Sequence, residues 1–179
     1  RVDAGGTPST GTGPTTDANP GTAAGNYIYT ESSSCYGQVA ILESPCIDLG
    51  GSPNPVFSFS YFMDGDAMGR LHVDIFVNGA WMEDLIAPKV GDQGASWLND
   101  NVSLAAFTGN VVKIRFRGIT GNSFTSDIAL DDIQIGGVLP VELLDFNASY
   151  ENTGRVKIDW STKNEVSNDF FTVERSVDG

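Results

Sequence analysis

The stretch GRLHVDIFVNGAW, residues 69–81, contains a strand that ends in a tight turn. Apolar and polar residues alternate from Leu71 to Val77, which is the pattern of a half-buried antiparallel strand. Asn78-Gly79 then supplies a dipeptide typical of two-residue hairpin loops. We therefore predict a hairpin here, and no helical period competes with the alternation.

Similar short apolar runs, separated by turn residues, lie on both sides of this hairpin. Many short strands without intervening helices favour an all-β fold, a jelly-roll β-sandwich, over an α/β fold. Residues 1–26, in contrast, consist mostly of Gly, Thr, Ser, Pro and Ala and have the composition of a linker. The predicted strands are NYIYTES (26–32), GQVAILES (37–44), PVFSFSYFM (55–63), GRLHVDIFVNG (69–79), VVKIRFRGI (111–119) and SDIALDDIQIGG (126–137).

The pattern breaks near Gly136-Gly137, which predicts a domain boundary. A first domain over residues 1–137 is followed by residues 138–179, with three further strand-like runs and Trp160 as a candidate core residue. Three strands are too few to close a sandwich, so we expect the beginning of a partial Ig-like domain.

Charge and cysteine content exclude several classes of function. The chain has 10 basic and 23 acidic residues, a net charge of −13 that disfavours nucleic acids and anionic membranes, and no run is apolar enough to span a bilayer. His72 is the single histidine, so a multi-histidine zinc site is excluded. Cys35 and Cys46 flank an apolar stretch, and we predict a local disulfide and an extracellular location, with two free buried thiols as the alternative. Because Arg1 begins neither a complete chain nor a signal peptide, we expect a piece of a longer protein.

Three acids differ from the many that solvate the surface. Asp17 follows the loop GTGPTT, and Asp131-Asp132 interrupts an alternating strand, so its two carboxylates are expected on opposite faces. An inward carboxylate needs a partner or a cation, and an oxygen-only ligand set suits Ca²⁺. The alternative is that these acids accept hydrogen bonds from backbone amides and thereby pin the Gly-rich loop.

A basic stripe lies along the strand VVKIRFRG. Lys113, Arg115 and Arg117 share one face, and His72 and Asp74 would join them if this strand neighbours GRLHVDIFV. Such a face would suit an acidic or sulfated glycan, and the alternative is cross-strand ion pairing. We expect an exposed ring for Trp81, which could stack on a sugar, and a core position for Trp97. No GxSxG motif is present, and an enzyme based on a carboxylate pair is the weakest hypothesis.

The first domain resembles the MAM domain in its bacterial form over residues 4–135. The segments that carry the resemblance are GGTPSTGTGPTTD (5–17), YIYTESSS (27–34), GQVAILESPCIDL (37–49), FSFSYFMDGDAMGRLHVDI (57–75), GDQGASW (91–97) and VKIRFRGITGNSFTSDIALDDIQI (112–135).

This resemblance implies a non-catalytic jelly roll of the kind found in meprin-type proteases, neuropilins and receptor tyrosine phosphatases. It also implies a cation site at Asp17 and at Asp131 or Asp132, to which Glu31 would add a ligand. The family usually begins with a strand before its Thr-Pro-Ser segment, whereas only RVDA precedes that segment here, so the first strand is expected to be missing.

The tail, LPVELLDFNASYENTGRVKIDWSTKNEVSNDFFTVERSVDG (139–179), resembles the fibronectin type III-like segment that precedes the sorting domain of type IX secreted proteins. That likeness implies export to the surface of a Bacteroidetes-type bacterium or beyond it.

Together these observations predict a non-catalytic adhesion or recognition module of a larger secreted or cell-surface protein, with a structural Ca²⁺ ion. Its partner would be a protein or a surface polysaccharide, alongside the other domains of its own chain. The alternative is a carbohydrate-binding module that tethers a polysaccharide-degrading enzyme to a glycan, one that is anionic if the basic stripe binds it.

Overall fold

A computed structural model describes residues 1–136, 143–151 and 155–162. The chain divides into two compact units, Arg1–Gly137 and Val138–Gly179. All paired strands described are antiparallel, and a short 3₁₀ turn at Ala105–Phe107 interrupts the strands of the first unit. The predicted all-β jelly-roll sandwich is confirmed. The described part of the chain contains no helix long and apolar enough to cross a membrane.

The first unit packs two sheets against each other. One sheet has the strand order β1-β2-β11-β5-β9; the other has the order β3-β10-β6-β7, with β4 paired to β10 and β8 paired to β6. The strands are β1 (Val2–Asp3), β2 (Tyr27–Tyr29), β3 (Val39–Glu43), β4 (Ile47–Asp48), β5 (Val56–Met63), β6 (Arg70–Val77), β7 (Ala80–Met82), β8 (Lys89–Val90), β9 (Gly94–Ser103), β10 (Val111–Ile119) and β11 (Ile128–Gly136).

The core lies between these sheets, where the alternation in the sequence places it. Phe57 and Phe59 of the first sheet are buried against Phe116 of the second, and the Phe59 and Phe116 ring centroids lie 5.0 Å apart. Buried aliphatic residues of β6 complete this layer, among them Val73 and Ile75. The core therefore fixes which side chains of β6 and β10 point outward.

The predicted hairpin is confirmed. Val77 pairs with Ala80, and the two loop residues between them, Asn78 and Gly79, have φ angles of 53° and 83°. Positive φ at both central positions is the geometry of a type I′ turn, which Asn-Gly favours.

The linker interpretation of residues 1–26 is wrong, because this segment is ordered over the outer face of the first sheet. Tyr27 Oη donates a hydrogen bond to the Gly5 carbonyl, and Trp97 Nε1 donates one to the Thr16 carbonyl. Trp97 was expected in the core. It packs instead beside Tyr27 and Phe62, in a small cluster outside the main core. Contacts with distant residues therefore fix the position of a segment whose composition predicts a linker.

The predicted disulfide is also wrong, because Cys35 and Cys46 are free and exposed. The Cys35 carbonyl accepts a hydrogen bond from Thr120, whereas Cys46 precedes Ile47, which pairs with Val112. The chain from Val112 in β10 to Thr120, the residue after this strand, spans about 26 Å at the usual rise per residue. Bonded cysteines have Cα atoms at most about 7 Å apart.

In the second unit, β12 (Leu143–Glu151) and β13 (Arg155–Thr162) form an antiparallel hairpin. Trp160 is 39% exposed, more than its predicted core role implies. The third strand-like run of the sequence, residues 168–179, lies outside the described residues.

Candidate functional site

The outer face of the second sheet brings two of the three residues of the predicted basic stripe, Arg115 and Arg117, into one cluster. β10 pairs with β6, so Arg115 lies opposite Asp74 and Arg117 lies opposite His72. Directly opposed residues share a face of the sheet, with Cβ atoms about 5 Å apart. The strand neighbourhood on which the sequence prediction depended is therefore present.

Asp74 is the centre of this cluster. Its side chain is fully buried, and its Oδ2 accepts hydrogen bonds from Nε of Arg115 at 2.7 Å and from Nε of Arg117 at 2.6 Å. Its Oδ1 accepts from the Asp84 amide at 2.9 Å and from Arg117 Nη2 at 3.1 Å. Burial alone would raise the pKa of Asp74, but the two guanidinium groups outweigh it and lower the pKa to about 2.

His72 lies at the edge of the same cluster. Its Nδ1 is 2.6 Å from Asp84 Oδ1, and its side chain is mostly buried. Its Nε2 is buried without a hydrogen-bond partner. Lys113, in contrast, pairs with Glu43 at 2.7 Å and takes no part in the Asp74 network.

Trp81 is half-buried and does not present the open ring face that was predicted. The guanidinium carbon of Arg115 lies 4.1 Å from the ring centroid, and Phe76 contacts the ring edge-on with centroids 5.4 Å apart. Glu83 adds a carboxylate 3.5 Å from Arg115 and from Arg117. The arginine donors are thus engaged by acids, as the ion-pairing alternative predicted.

Asp17 is buried beneath the Gly-rich loop. Its Oδ1 accepts a hydrogen bond from the Thr22 amide at 2.7 Å, and its Oδ2 is buried without a partner. A Cβ atom at Gly25 would lie 1.5 Å from that Oδ2, so only glycine leaves room for it. The residue after Asp17 is Ala18, and its amide donates a hydrogen bond to Asp131 Oδ2 at 2.8 Å. This contact brings Asp131 to the Gly-rich loop.

A β-bulge separates Asp131 from Asp132. The register between β11 and β5 shifts here, and Asp132 has a φ of 47°. Asp131 is half-buried and Asp132 is exposed, where its carboxylate accepts a hydrogen bond from Ser60. The bulge breaks the strict alternation that predicted opposite faces for the two carboxylates, and neither of them belongs to the core cluster.

Glu31 lies beside different partners from those predicted. Its Oε1 accepts hydrogen bonds from Ser9 Oγ and from the Ser33 amide, and its Oε2 is buried without a hydrogen-bond partner. Within the ranges that the structure describes, no three acidic, histidine or cysteine residues lie close enough together to form a metal site. Asp17, Glu31, Asp131 and Asp132 therefore do not form one cluster.

Asp127 is a buried acid that the sequence reasoning missed. Its Oδ1 accepts hydrogen bonds from the amide and the hydroxyl of Ser32 at 2.9 and 3.1 Å, while its Oδ2 is buried without a partner. Burial raises the pKa of Asp127, and nearby Glu31 raises it further against the hydrogen bonds that lower it. The sequence contained a signal for this acid. Extending the alternation of β11 back by one residue places Asp127 on the same face as Ala129 and Asp131.

Comparisons with known proteins agree on one family. A model described as MAM domain, meprin/A5/mu, matches residues 1–138. MAM domain-containing glycosylphosphatidylinositol anchor protein 2 of Mus musculus is 32% identical over 134 residues, 69% of this chain and 14% of that protein. MAM domain-containing protein 2 of Homo sapiens is 35% identical over 129 residues, 72% and 18% of the two chains. Neuropilin-1 of Rattus norvegicus is 32% identical over 133 residues, 73% and 14%. The chain thus spans less than a fifth of these relatives' length.

Proposed function

Because the chain belongs to the MAM domain family, we propose that it is a non-catalytic adhesion or recognition module of a larger secreted or cell-surface protein. One observation supports a protein partner in particular. Arg115 is stacked on half-buried Trp81 and fixed by buried Asp74, so an aromatic ring and an arginine hold fixed positions in the outer face of the second sheet. Aromatic residues and arginine are enriched in protein interfaces and dominate their energetics.

The charges around Trp81 favour a protein surface over an anionic glycan. Arg115 and Arg117 are balanced by Asp74, Glu83 and Asp84, so the patch presents both signs of charge. An anionic glycan would have to displace these carboxylates from the guanidinium groups. A patch with both signs can complement itself across a two-fold axis, which makes a second copy of the chain the first partner to test.

Bead aggregation tests this proposal. Beads coated with the chain should aggregate, and the double variant Trp81→Ala with Arg115→Ala should lose aggregation while the control Lys157→Ala retains it. Wild-type beads that stay dispersed, or a double variant that aggregates equally, would contradict the proposal. Retention of the wild type on immobilised sulfated or carboxylated polysaccharide, lost in the same double variant, would replace it with the carbohydrate-binding alternative.

We also propose a structural Ca²⁺ ion at Asp17 and Asp131. The support is the buried Asp17 Oδ2, which has no hydrogen-bond partner, and the carboxylate of Asp131, which the adjacent Ala18 amide contacts. Carboxylate oxygens are ligands that suit a hard cation. Loop carbonyls would supply further ligands, and the ion would tie the loop to β11. The thermal stability of the wild type should rise with added Ca²⁺, and Asp17→Asn should lose that response; an unchanged response in the variant would rule out Asp17 as a ligand.

An open cleft between the two sheets is evidence for a further strand beside β3. β3 is hydrogen-bonded along its described length to β10, and its Val39 and Ile41 are 57% and 59% exposed. Ala40 and Leu42 line a cleft of about 270 Å³ that reaches Leu130 of the opposite sheet. We propose that this place belongs to the strand that the family resemblance puts ahead of the Thr-Pro-Ser segment.

Hydrogen exchange tests that strand at those β3 amides that point away from β10. In the full-length parent protein these amides should exchange slowly at every concentration, whereas in the 179-residue chain they should exchange rapidly. Equally fast exchange in both proteins would contradict the proposal. Protection that grows with concentration would assign the edge to a second copy instead.

For residues 138–179 we propose a bacterial export context of the type IX kind, as a partial fibronectin-like segment ahead of a sorting domain. The support is the sequence likeness of the tail, of which the described part is the β12–β13 hairpin. Deleting the segment that follows Gly179 in the parent should retain the protein inside the cell; secretion of the truncated parent would contradict this assignment.

A further inference from the structure

A cavity lies on the first sheet, between the loop of residues 6–16 and the strands β5 and β9. Phe62, Asp64, Ser96 and Trp97 line it from the side of the sheet, and the loop lines the other side. Its volume is about 550 Å³, which is in the range of small-molecule sites. This space is named the loop cavity.

Both sides of the loop cavity are fixed by hydrogen bonds. Trp97 Nε1 donates to the Thr16 carbonyl at 2.9 Å, which joins β9 to the end of the loop. Earlier in the loop, the Asp127 amide donates to Thr12 Oγ1 at 2.9 Å, and Thr7 Oγ1 donates to the Thr12 carbonyl at 3.2 Å. A site whose walls are already in place loses little conformational entropy when a ligand binds.

The polar residues that line the loop cavity mostly carry hydroxyl groups. Thr10, Thr15 and Ser96 are lining residues whose side chains make no hydrogen bond within the described part of the chain. A hydroxyl group can both donate and accept, so these side chains are suited to neutral polar groups. No lysine or arginine occurs among the lining residues that the structure describes.

Asp64 is the acidic residue of this lining. Burial raises the pKa of its half-buried carboxyl, and the charges of Asp92 and Asp66 raise it further, without a hydrogen bond from a described residue to offset them. An ionised carboxylate only accepts hydrogen bonds, so Asp64 is suited to a ligand that donates them. The same negative charges repel an anionic ligand.

Trp97 adds an aromatic surface to the loop cavity. Its ring is half-buried, and the ring centroids of Tyr27 and Phe62 lie 5.7 and 5.6 Å from its own. An aromatic ring beside hydroxyl groups and a carboxylate complements a sugar, which carries C–H groups on its faces and hydroxyl groups around its edge.

We propose that the loop cavity binds a neutral oligosaccharide. Asp64 accepts hydrogen bonds from sugar hydroxyl groups, Thr10 and Ser96 exchange hydrogen bonds with them, and Trp97 packs against a face of a sugar ring. This site is on the opposite sheet from Trp81 and its ligand is uncharged, so it is independent of the surface proposed for protein recognition.

Amide NMR of the 179-residue chain tests the site at a constant Ca²⁺ concentration. The probes are neutral hexasaccharides of glucose, mannose, xylose and galactose, and hexagalacturonate is the anionic comparison. At least one neutral probe should shift the indole N–H signal of Trp97 and the amide signals of residues 6–16. The indole signal of Trp81 should stay in place.

Two variants remove polar atoms from the loop cavity and preserve side-chain shape. Asp64→Asn should weaken binding of that probe about 10-fold and Thr10→Val about 5-fold, because a hydrogen bond to a charged group is the stronger of the two. Asp66→Asn is the matched control and should bind as the wild type does, because Asp66 is exposed, carries the same charge and does not line the cavity. Circular dichroism should show all three variants folded.

The outcomes separate this site from the surface around Trp81. The proposal is overturned if no neutral probe shifts the Trp97 signal, if Asp64→Asn and Thr10→Val both leave binding unchanged, or if hexagalacturonate binds more tightly than every neutral probe. Shifts confined to the Trp81 signal also overturn it and assign sugar binding to the second sheet. Weaker binding in both variants, with Asp66→Asn unchanged, establishes the site.

Discussion

Asp74 and Asp127 are both fully buried carboxylates on outer faces of the sandwich, yet their surroundings act on them in opposite directions. Asp74 accepts hydrogen bonds at both oxygens, two of them from guanidinium Nε atoms, and its pKa falls to about 2. Asp127 has one oxygen without a partner and Glu31 beside it, and its pKa is raised. Burial penalises the charge in both cases, so the identity of the cross-strand neighbour decides the sign.

In each sheet, the residue directly opposite the buried acid accounts for the direction in which the pKa of that acid is shifted. The β6–β10 pairing places Arg115 opposite Asp74, whereas the continued β2–β11 pairing places Glu31 opposite Asp127. The second sheet thus completes its buried charge from its own side chains. The first sheet leaves one oxygen of its buried carboxylate, Oδ2 of Asp127, without a hydrogen-bond partner.

The largest effect is expected from Asp74→Ala. The change leaves Arg115 and Arg117 without their shared carboxylate and removes the acceptor of the Asp84 amide, and breaking a buried charge pair on one side costs about 3–5 kcal/mol. Urea unfolding measures the loss. Glu83→Ala, at an exposed member of the same network, should cost less than about 1 kcal/mol, and equal losses in both variants would contradict a central role for Asp74.

A second prediction compares how pH changes the contributions of Asp74 and Asp127 to the free energy of unfolding. The pKa of Asp74 lies below its unfolded value, so its contribution of about 2 kcal/mol is present above pH ~4 and is lost as the pH falls towards 2. Asp127 has a raised pKa, so the folded state binds its proton more tightly and stability is gained on acidification above pH ~4.

Unfolding curves at several pH values in the presence of a chelator should resolve these two slopes. Asp74→Asn should flatten the loss below pH 4, and Asp127→Asn should remove the gain above it. A single slope that neither variant alters would contradict the contrast between the two sites.

The third prediction concerns Asp127→Asn without metal. The substitution removes one of two opposed like charges and keeps an oxygen that can accept from Ser32, so it should be neutral or stabilising by up to about 1 kcal/mol in chelator. A clear loss of stability in chelator would show that Asp127 is already satisfied by the protein.

Local patterns predicted the second sheet well. Alternation around Leu71 and Val73 placed His72 and Asp74 on the outer face, and Asn78-Gly79 fixed the hairpin, because turn chemistry and side-chain period are properties of neighbouring residues. The same alternation places Arg115 and Arg117 on the outer face of β10, and the pairing of β10 with β6 then brings them to Asp74.

The first sheet was harder to predict because its order depends on distant residues. The missed strand β9 has the sequence GASWLNDNVS, rich in Asn and Asp, which an edge strand tolerates because one side of it faces solvent. Residues 1–26 are held by contacts such as that of Tyr27 with Gly5, which composition cannot reveal. Asp127 was missed because its significance appears only when Glu31 lies opposite it.

The smallest expected effect tests whether the stack of Arg115 on Trp81 is coupled beyond the Asp74 network. Arg115→Lys keeps a donor for Asp74 but replaces the flat guanidinium that covers the ring at 4.1 Å. A double-mutant cycle with Trp81→Leu should give a coupling energy of about 0.5–1 kcal/mol, the size of a partly exposed cation–π contact. Coupling near zero would mean that Asp74 alone positions Arg115, and that the ring contributes area to the recognition surface without holding the arginine in place.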